Sequence, residues 1–88
     1  MEFFFYIIYS VQADVYYKGI SAQPYARLQQ HNSNRSRYTA NKGPWNLVYL
    51  EKFGSKTDAL HYEKKAKRFN RDYLLWLMAQ DKNLLNKQ

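Results

Sequence analysis

Two aromatic, β-branched runs stand almost back to back at the start of the chain: "FFFYIIY" at 3–9 and "VYYKGI" at 15–20, parted by the short polar stretch 10–14. Runs of this composition separated by a turn-sized gap are the signature of a β-hairpin. The first run reads as a buried strand, which commits the chain to a sheet with a covered face. The hairpin also carries tyrosines at 6, 9, 16 and 17. Phenylalanine would pack as well without a hydroxyl that needs a partner, so the phenols call for a reason.

Eighty-eight residues make one domain with a small core. Sixteen aromatic rings (nine Tyr, five Phe, two Trp) suit that core, because each buries a large area at low entropy cost. Cysteine is absent, which excludes disulfides and thiolate chemistry and suits a cytoplasmic protein. No apolar stretch approaches the length that spans a bilayer, and Glu2 with no basic segment beside it does not open a signal peptide. The net charge of +7 predicts attraction to a polyanion, most simply nucleic acid; an acidic protein partner or a merely basic surface is the alternative.

Beyond the hairpin, Pro24 suits the first turn of a helix that runs to about Asn32, with Tyr25, Leu28 and His31 as a weak stripe. The segment 33–44, "SNRSRYTANKGP", is a polar, basic loop. "WNLVYLEKF" at 45–53 is a third strand, with Leu47, Tyr49 and Glu51 on one face and Val48, Leu50 and Lys52 on the other. Ser55 and Asp58 form a capping-box pattern that starts a helix, whose stripe is Ala59, Tyr62, Ala66 and Phe69. "DYLLWLMA" at 72–79 is a further helix. The domain is expected over 1–80, with 81–88 a polar tail that frays. The order β-β-α-β-α-α describes an α/β (α+β) domain: a small sheet covered by helices.

Three groups of side chains point to chemistry. Tyr6 and Tyr17 share a sheet face whenever paired residue numbers sum to an odd value, which brings two phenols together beside Gly19; cross-strand aromatic packing is the alternative. Arg27 and His31 lie four apart on one helical face, a phosphate clamp beside a group that titrates near neutrality, or a solvated pair at a helix end. Glu63 borders the buried side of its helix amid Lys64, Lys65, Lys67, Arg68 and Arg71. Lys56 belongs to the same basic block, and Glu63 is either an i,i+4 partner of Lys67 or a lone carboxylate suited to a divalent ion.

Taken together these residues resemble the GIY-YIG nuclease superfamily, in particular its small single-domain bacterial branch. The first motif stands as Phe4-Phe5-Tyr6 and the second as Tyr17-Lys18-Gly19, joined by "RLQQHN" at 27–32, "SRYT" at 36–39, "GPWNLVY" at 43–49 and "ALHYEKKAKR" at 59–68. The match runs from residue 3 to about 70. The resemblance implies a three-stranded antiparallel sheet flanked by helices and a one-metal site that hydrolyses phosphodiesters of DNA. Glu63 would bind Mg²⁺ or Mn²⁺. Tyr17 would stand by the attacking water as base or positioner, with Tyr6 in support. Arg27 would hold the scissile phosphate, and His31 and Tyr38 would assist at phosphate or proton transfer.

Arg35, Arg37, Lys42, Lys64, Lys67, Arg68 and Arg71 are the candidate contacts to the nucleic-acid backbone. The expected partner is DNA, branched or single-stranded, bound by a monomer or weak homodimer away from membranes; a non-catalytic nucleic-acid-binding module of the same fold is the alternative. Phe4 replaces a motif glycine. Lys18 replaces an aliphatic residue and is expected on the face away from Tyr17, with its stem snorkelling. The asparagine that many relatives place after the last core element has no clear counterpart, Asn83 and Asn86 sharing only its type.

Overall fold

In the computed structural model, which describes residues 2–87, β1 (Phe3–Ser10) is the middle strand of an antiparallel sheet. β2 (Val15–Ser21) and β3 (Trp45–Phe53) flank it on either side. The middle position explains why Phe5, Tyr6, Ile7 and Ile8 are all buried: a central strand covered on both faces shows no in-out alternation. The helices are α1 (Pro24–Asn32), α2 (Lys56–Ala66) and α3 (Arg71–Met78), so the expected order β-β-α-β-α-α holds.

Each sheet face has its own core. Phe5, Ile7 and Tyr49 pack beneath Ala66 of α2 and Leu74 and Leu77 of α3. On the other face Tyr6, Ile8, Trp45 and Leu50 meet Leu28 of α1 and Leu84 and Leu85 near the C-terminus. The helices start where local chemistry dictates. The Ser55 side chain accepts from the Asp58 amide at 3.1 Å, and the Asn70 side chain accepts from the Tyr73 amide at 2.9 Å.

Two expectations need correction. β3 does not alternate strictly: Ile7 pairs with Tyr49 but Ile8 pairs with Leu47, leaving Val48 unpaired in a bulge. One extra residue inverts the facing of the strand beyond it. Leu47 therefore joins Leu50 on one face, while Tyr49 packs on the other.

The segment from residue 80 to 87 does not fray. Asn83 is buried, and its carboxamide accepts from the Leu50 amide at 3.1 Å and donates to the carbonyls of Val48 (3.1 Å) and Met78 (2.9 Å). It occupies the hydrogen-bonding groups of the outer edge of β3, as a fourth strand would. A 3₁₀ turn over Leu84–Lys87 then lays Leu84 and Leu85 on the core.

Asn83→Ala leaves a buried N–H and a carbonyl unpaired, each costing about 1–3 kcal/mol. We expect a loss of about 2–4 kcal/mol of stability by urea denaturation, against little change for Asn86→Ala, whose side chain is exposed.

Candidate active site

The hairpin register pairs Tyr6 with Gly19 and Ile8 with Tyr17, a sum of 25, so the two phenols share a face. Tyr6 lies directly across Gly19. A Cβ there would stand 2.6 Å from the Tyr6 hydroxyl and 2.7 Å from its Cζ, a distance only glycine permits.

Laid over that gap, the Tyr6 hydroxyl meets His31 Nε2 of α1 at 2.8 Å, and His31 Nδ1 meets the Thr39 hydroxyl at 2.7 Å. Thr39 donates to the Ser36 carbonyl at 3.5 Å, so its oxygen accepts Nδ1–H. That assigns the tautomer: Nε2 carries the lone pair and Tyr6 donates to it.

Burial governs this chain of bonds. It pushes the Tyr6 phenol up to about 12, helped by Tyr17 and opposed by Arg27. It holds His31 down at about 4, and the Arg27 charge adds to the effect. Both groups are neutral at pH 7. His31 is fully buried with both ring nitrogens engaged, so it bears on any substrate only through Tyr6.

Arg27 sits one turn before His31, half-buried, and donates to the Gln30 carboxamide oxygen at 2.7 Å and to the Ser36 hydroxyl at 3.4 Å. No carboxylate pairs with it among the described residues. Glu63 of α2 is half-buried and close enough to Tyr6 to help keep that phenol protonated. The i,i+4 pairing of Glu63 with Lys67 is not made. Among the described residues the ion pairs are Glu2–Lys52 and Asp14–Arg71, and the Glu63 carboxylate makes no hydrogen bond either. Among the described residues no group of three or more His, Asp or Glu that could hold a metal ion converges.

Tyr17 packs at 5.1 Å, ring to ring, from His31 and lines a concavity of about 350 Å³ with Tyr16, Lys18, Tyr38 and Lys67. Tyr38 stands at its rim, 71% exposed. Lys18 keeps to expectation: it pairs with Ile7 on the face away from Tyr17 and snorkels to the Phe69 carbonyl. Because β2 is an edge strand, Lys18 also borders the concavity that Tyr17 lines.

The basic residues are spread over several concavities. Lys67 faces the tyrosines, whereas Lys64 and Arg68 line a separate concavity with His61 and Lys65. Arg35 borders another with Gln29 and Gln30, and Arg37 and Lys42 are exposed on the loop after α1. Arg71 is engaged within the fold: it pairs with Asp14 at 3.0 Å and lies 5.3 Å over the Tyr16 ring.

Sequence reasoning does not single out Thr39 or Ser36 as a site residue. Both are buried in a loop that reads as polar and solvated; the signal lies in "SRYT" standing close enough after "RLQQHN" to fold back on it.

Comparison with known proteins agrees with this fold. The GIY-YIG catalytic domain model matches residues 2–74. A UPF0213 protein of Aeromonas hydrophila is 34% identical over 83 residues, covering 91% of this chain, which spans 61% of that relative's length. UPF0213 protein SH2523 of Staphylococcus haemolyticus is 34% identical over 65 residues, covering 73% of this chain and 79% of its own. The solution structure of the UPF0213 protein BH0048 from Bacillus halodurans superposes with a TM-score of 0.58 at 26% identity, over 93% of this chain and 87% of that one.

Two measurements probe the buried Tyr6–His31–Thr39 chain. Gly19→Ala must drive the Tyr6 ring aside, so we expect a loss of about 1–3 kcal/mol together with a weakened Tyr6–His31 bond, read from the imidazole ¹⁵N shifts. On acidification the unfolded chain protonates His31 near 6.5 while the folded chain resists until about 4. That stability is present above 6.5 and drains away between the two values, on the order of 3 kcal/mol in all. His31→Gln should flatten the slope of unfolding free energy against pH in that window. Asp14, whose carboxyl is held below its ordinary 3.8 by Tyr9 and Arg71, acts only at lower pH.

Proposed function

The chain belongs to the GIY-YIG family, and from that premise we propose that it is a metal-dependent endonuclease that hydrolyses phosphodiester bonds of DNA. The observation that carries this reading is the unpaired, half-buried Glu63 carboxylate, which bears on the same phenol as Arg27 and His31.

Mg²⁺ or Mn²⁺ would be held by Glu63, its shell completed by waters and phosphate oxygens; when bound it supplies positive charge to the transition state and acidity to a coordinated water. The Arg27 guanidinium, steadied on one side by Gln30 and Ser36, turns its remaining donors to the scissile phosphate and balances the charge that builds there. Tyr17 holds the attacking water at its hydroxyl. Tyr6 keeps its proton, committed to His31, and so fixes the floor of the site without acting as its base. Water adds to phosphorus, the ester bond breaks, and a phosphate monoester and a hydroxyl remain. Tyr38 at the rim meets the strand as it enters, while Lys64 and Arg68 offer a second contact to the backbone.

Labelled branched, flapped, single-stranded and plain duplex DNAs, incubated with Mg²⁺, Mn²⁺ or EDTA, test the proposal. Wild type should give products with metal and none with EDTA. Glu63→Ala and Arg27→Ala should each lose about 10²–10³-fold or more in rate while melting like wild type. Salt-sensitive binding without cleavage under either metal would make the protein a binding module of the same fold.

A further inference from the structure

Lys18 is where this chain leaves the pattern of its motif, and the structure gives the departure a use. On an inner strand a lysine paired with Ile7 would be driven into the core beneath α2. On the edge strand its stem instead runs along the boundary, half-buried, and its ammonium donates to the Phe69 carbonyl at 3.4 Å. That single bond leaves two of its three donors open. Lys67, the C-cap just beyond α2, borders the same concavity. Neither lysine has a carboxylate partner among the described residues. Burial and the neighbouring Lys67 charge lower the Lys18 pKa, so the two ammoniums oppose each other in the free protein. An anion between them would turn that repulsion into attraction.

We propose that Lys18 and Lys67 form an anion subsite beside Tyr17 that takes a backbone phosphate flanking the scissile one, with the Tyr38 ring against the adjoining nucleotide. The identity of the ligand as a DNA strand rests on the nuclease reading; the anion site itself rests on the two lysines and the concavity they share.

The test is equilibrium binding of a labelled single-stranded oligonucleotide in EDTA, over a range of salt, to wild type, Lys18→Met, Lys67→Met, the double variant and Lys18→Arg. Methionine keeps the packing of the stem and removes the charge. Each single variant should bind about 5–10-fold more weakly, with a salt slope shallower by about one unit. The double variant should lose less than the product of the singles, because the lysines share one phosphate, and Lys18→Arg should bind like wild type. Lys56→Met removes the same charge from the start of α2, where the ammonium lies 5.9 Å over the Phe3 ring, and should bind within about twofold of wild type. Inorganic pyrophosphate, titrated by NMR, should move the Lys18 and Lys67 side-chain signals together.

Lys18→Met and Lys67→Met binding no differently from Lys56→Met would overturn the subsite, as would pyrophosphate that leaves both signals unmoved. Because binding is read without metal, absence of cleavage sinks the nuclease reading alone. Cleavage by wild type with unaltered binding by Lys18→Met sinks the subsite alone.

Discussion

The hydrogen bond from Tyr6 to His31 is made where water is excluded, and much of the fold is arranged to make it. A phenol buried in the sheet without an acceptor would carry the full cost of desolvation, as would an imidazole with one nitrogen unmet. Gly19 opens the space, α1 brings the imidazole, and the loop after α1 has to deliver Thr39 to its other nitrogen. That loop is therefore tied down along its length. Asn34 accepts from the Asn41 amide, Trp45 Nε1 donates to the Thr39 carbonyl, and the Asn32 carboxamide brackets the backbone of Trp45. Among the described residues no buried side-chain nitrogen or oxygen is left without a partner.

The same exclusion of water divides labour within the site. It raises the Tyr6 phenol and lowers the His31 imidazole, so each moves away from the pH at which it could trade a proton with solvent. The inner pair is a fixed dipole, suited to holding geometry. Groups that can meet a substrate stand farther out. Arg27 and Glu63 are half-buried, Tyr17 opens onto the concavity, and Tyr38 is at the rim. Rigid neutral partners underneath and adaptable charges above are what a preorganised electrostatic site requires.

The order of elements and the convergence of phenols are legible because both come from local pattern: apolar runs, turn residues, a capping serine, and a register whose parity decides which side chains share a face. The features that escape the sequence depend on long-range pairing. The bulge at Val48 is set by how β3 meets β1, and nothing in "WNLVYLEKF" marks the residue that drops out of the ladder. Asn83 looks like any polar residue near a chain end; only the unfilled edge of β3 makes its carboxamide structural. Thr39 and Ser36 belong to a stretch whose composition says solvent, and their burial answers the need of a histidine eight residues before Thr39. Lys18 obeys the alternation, on the face with Tyr16 and Ile20; what the sequence does not show is that β2 is an edge strand, so its head is free to reach the Phe69 carbonyl at the boundary.

That difference between the two edges bears on how the site works. The outer edge of β3 is filled by Asn83 and covered by the turn behind it, whereas among the described residues no strand pairs with the outer edge of β2. An open edge is a hazard, since it invites another strand, and a charged side chain is a common defence. Lys18 provides that charge at the point where Tyr17 faces solvent. On the anion subsite proposed above, a polyanion would be drawn to this edge while a second sheet is discouraged from docking on it. A strand so drawn would approach the site from the sheet edge that, among the described residues, no other strand covers.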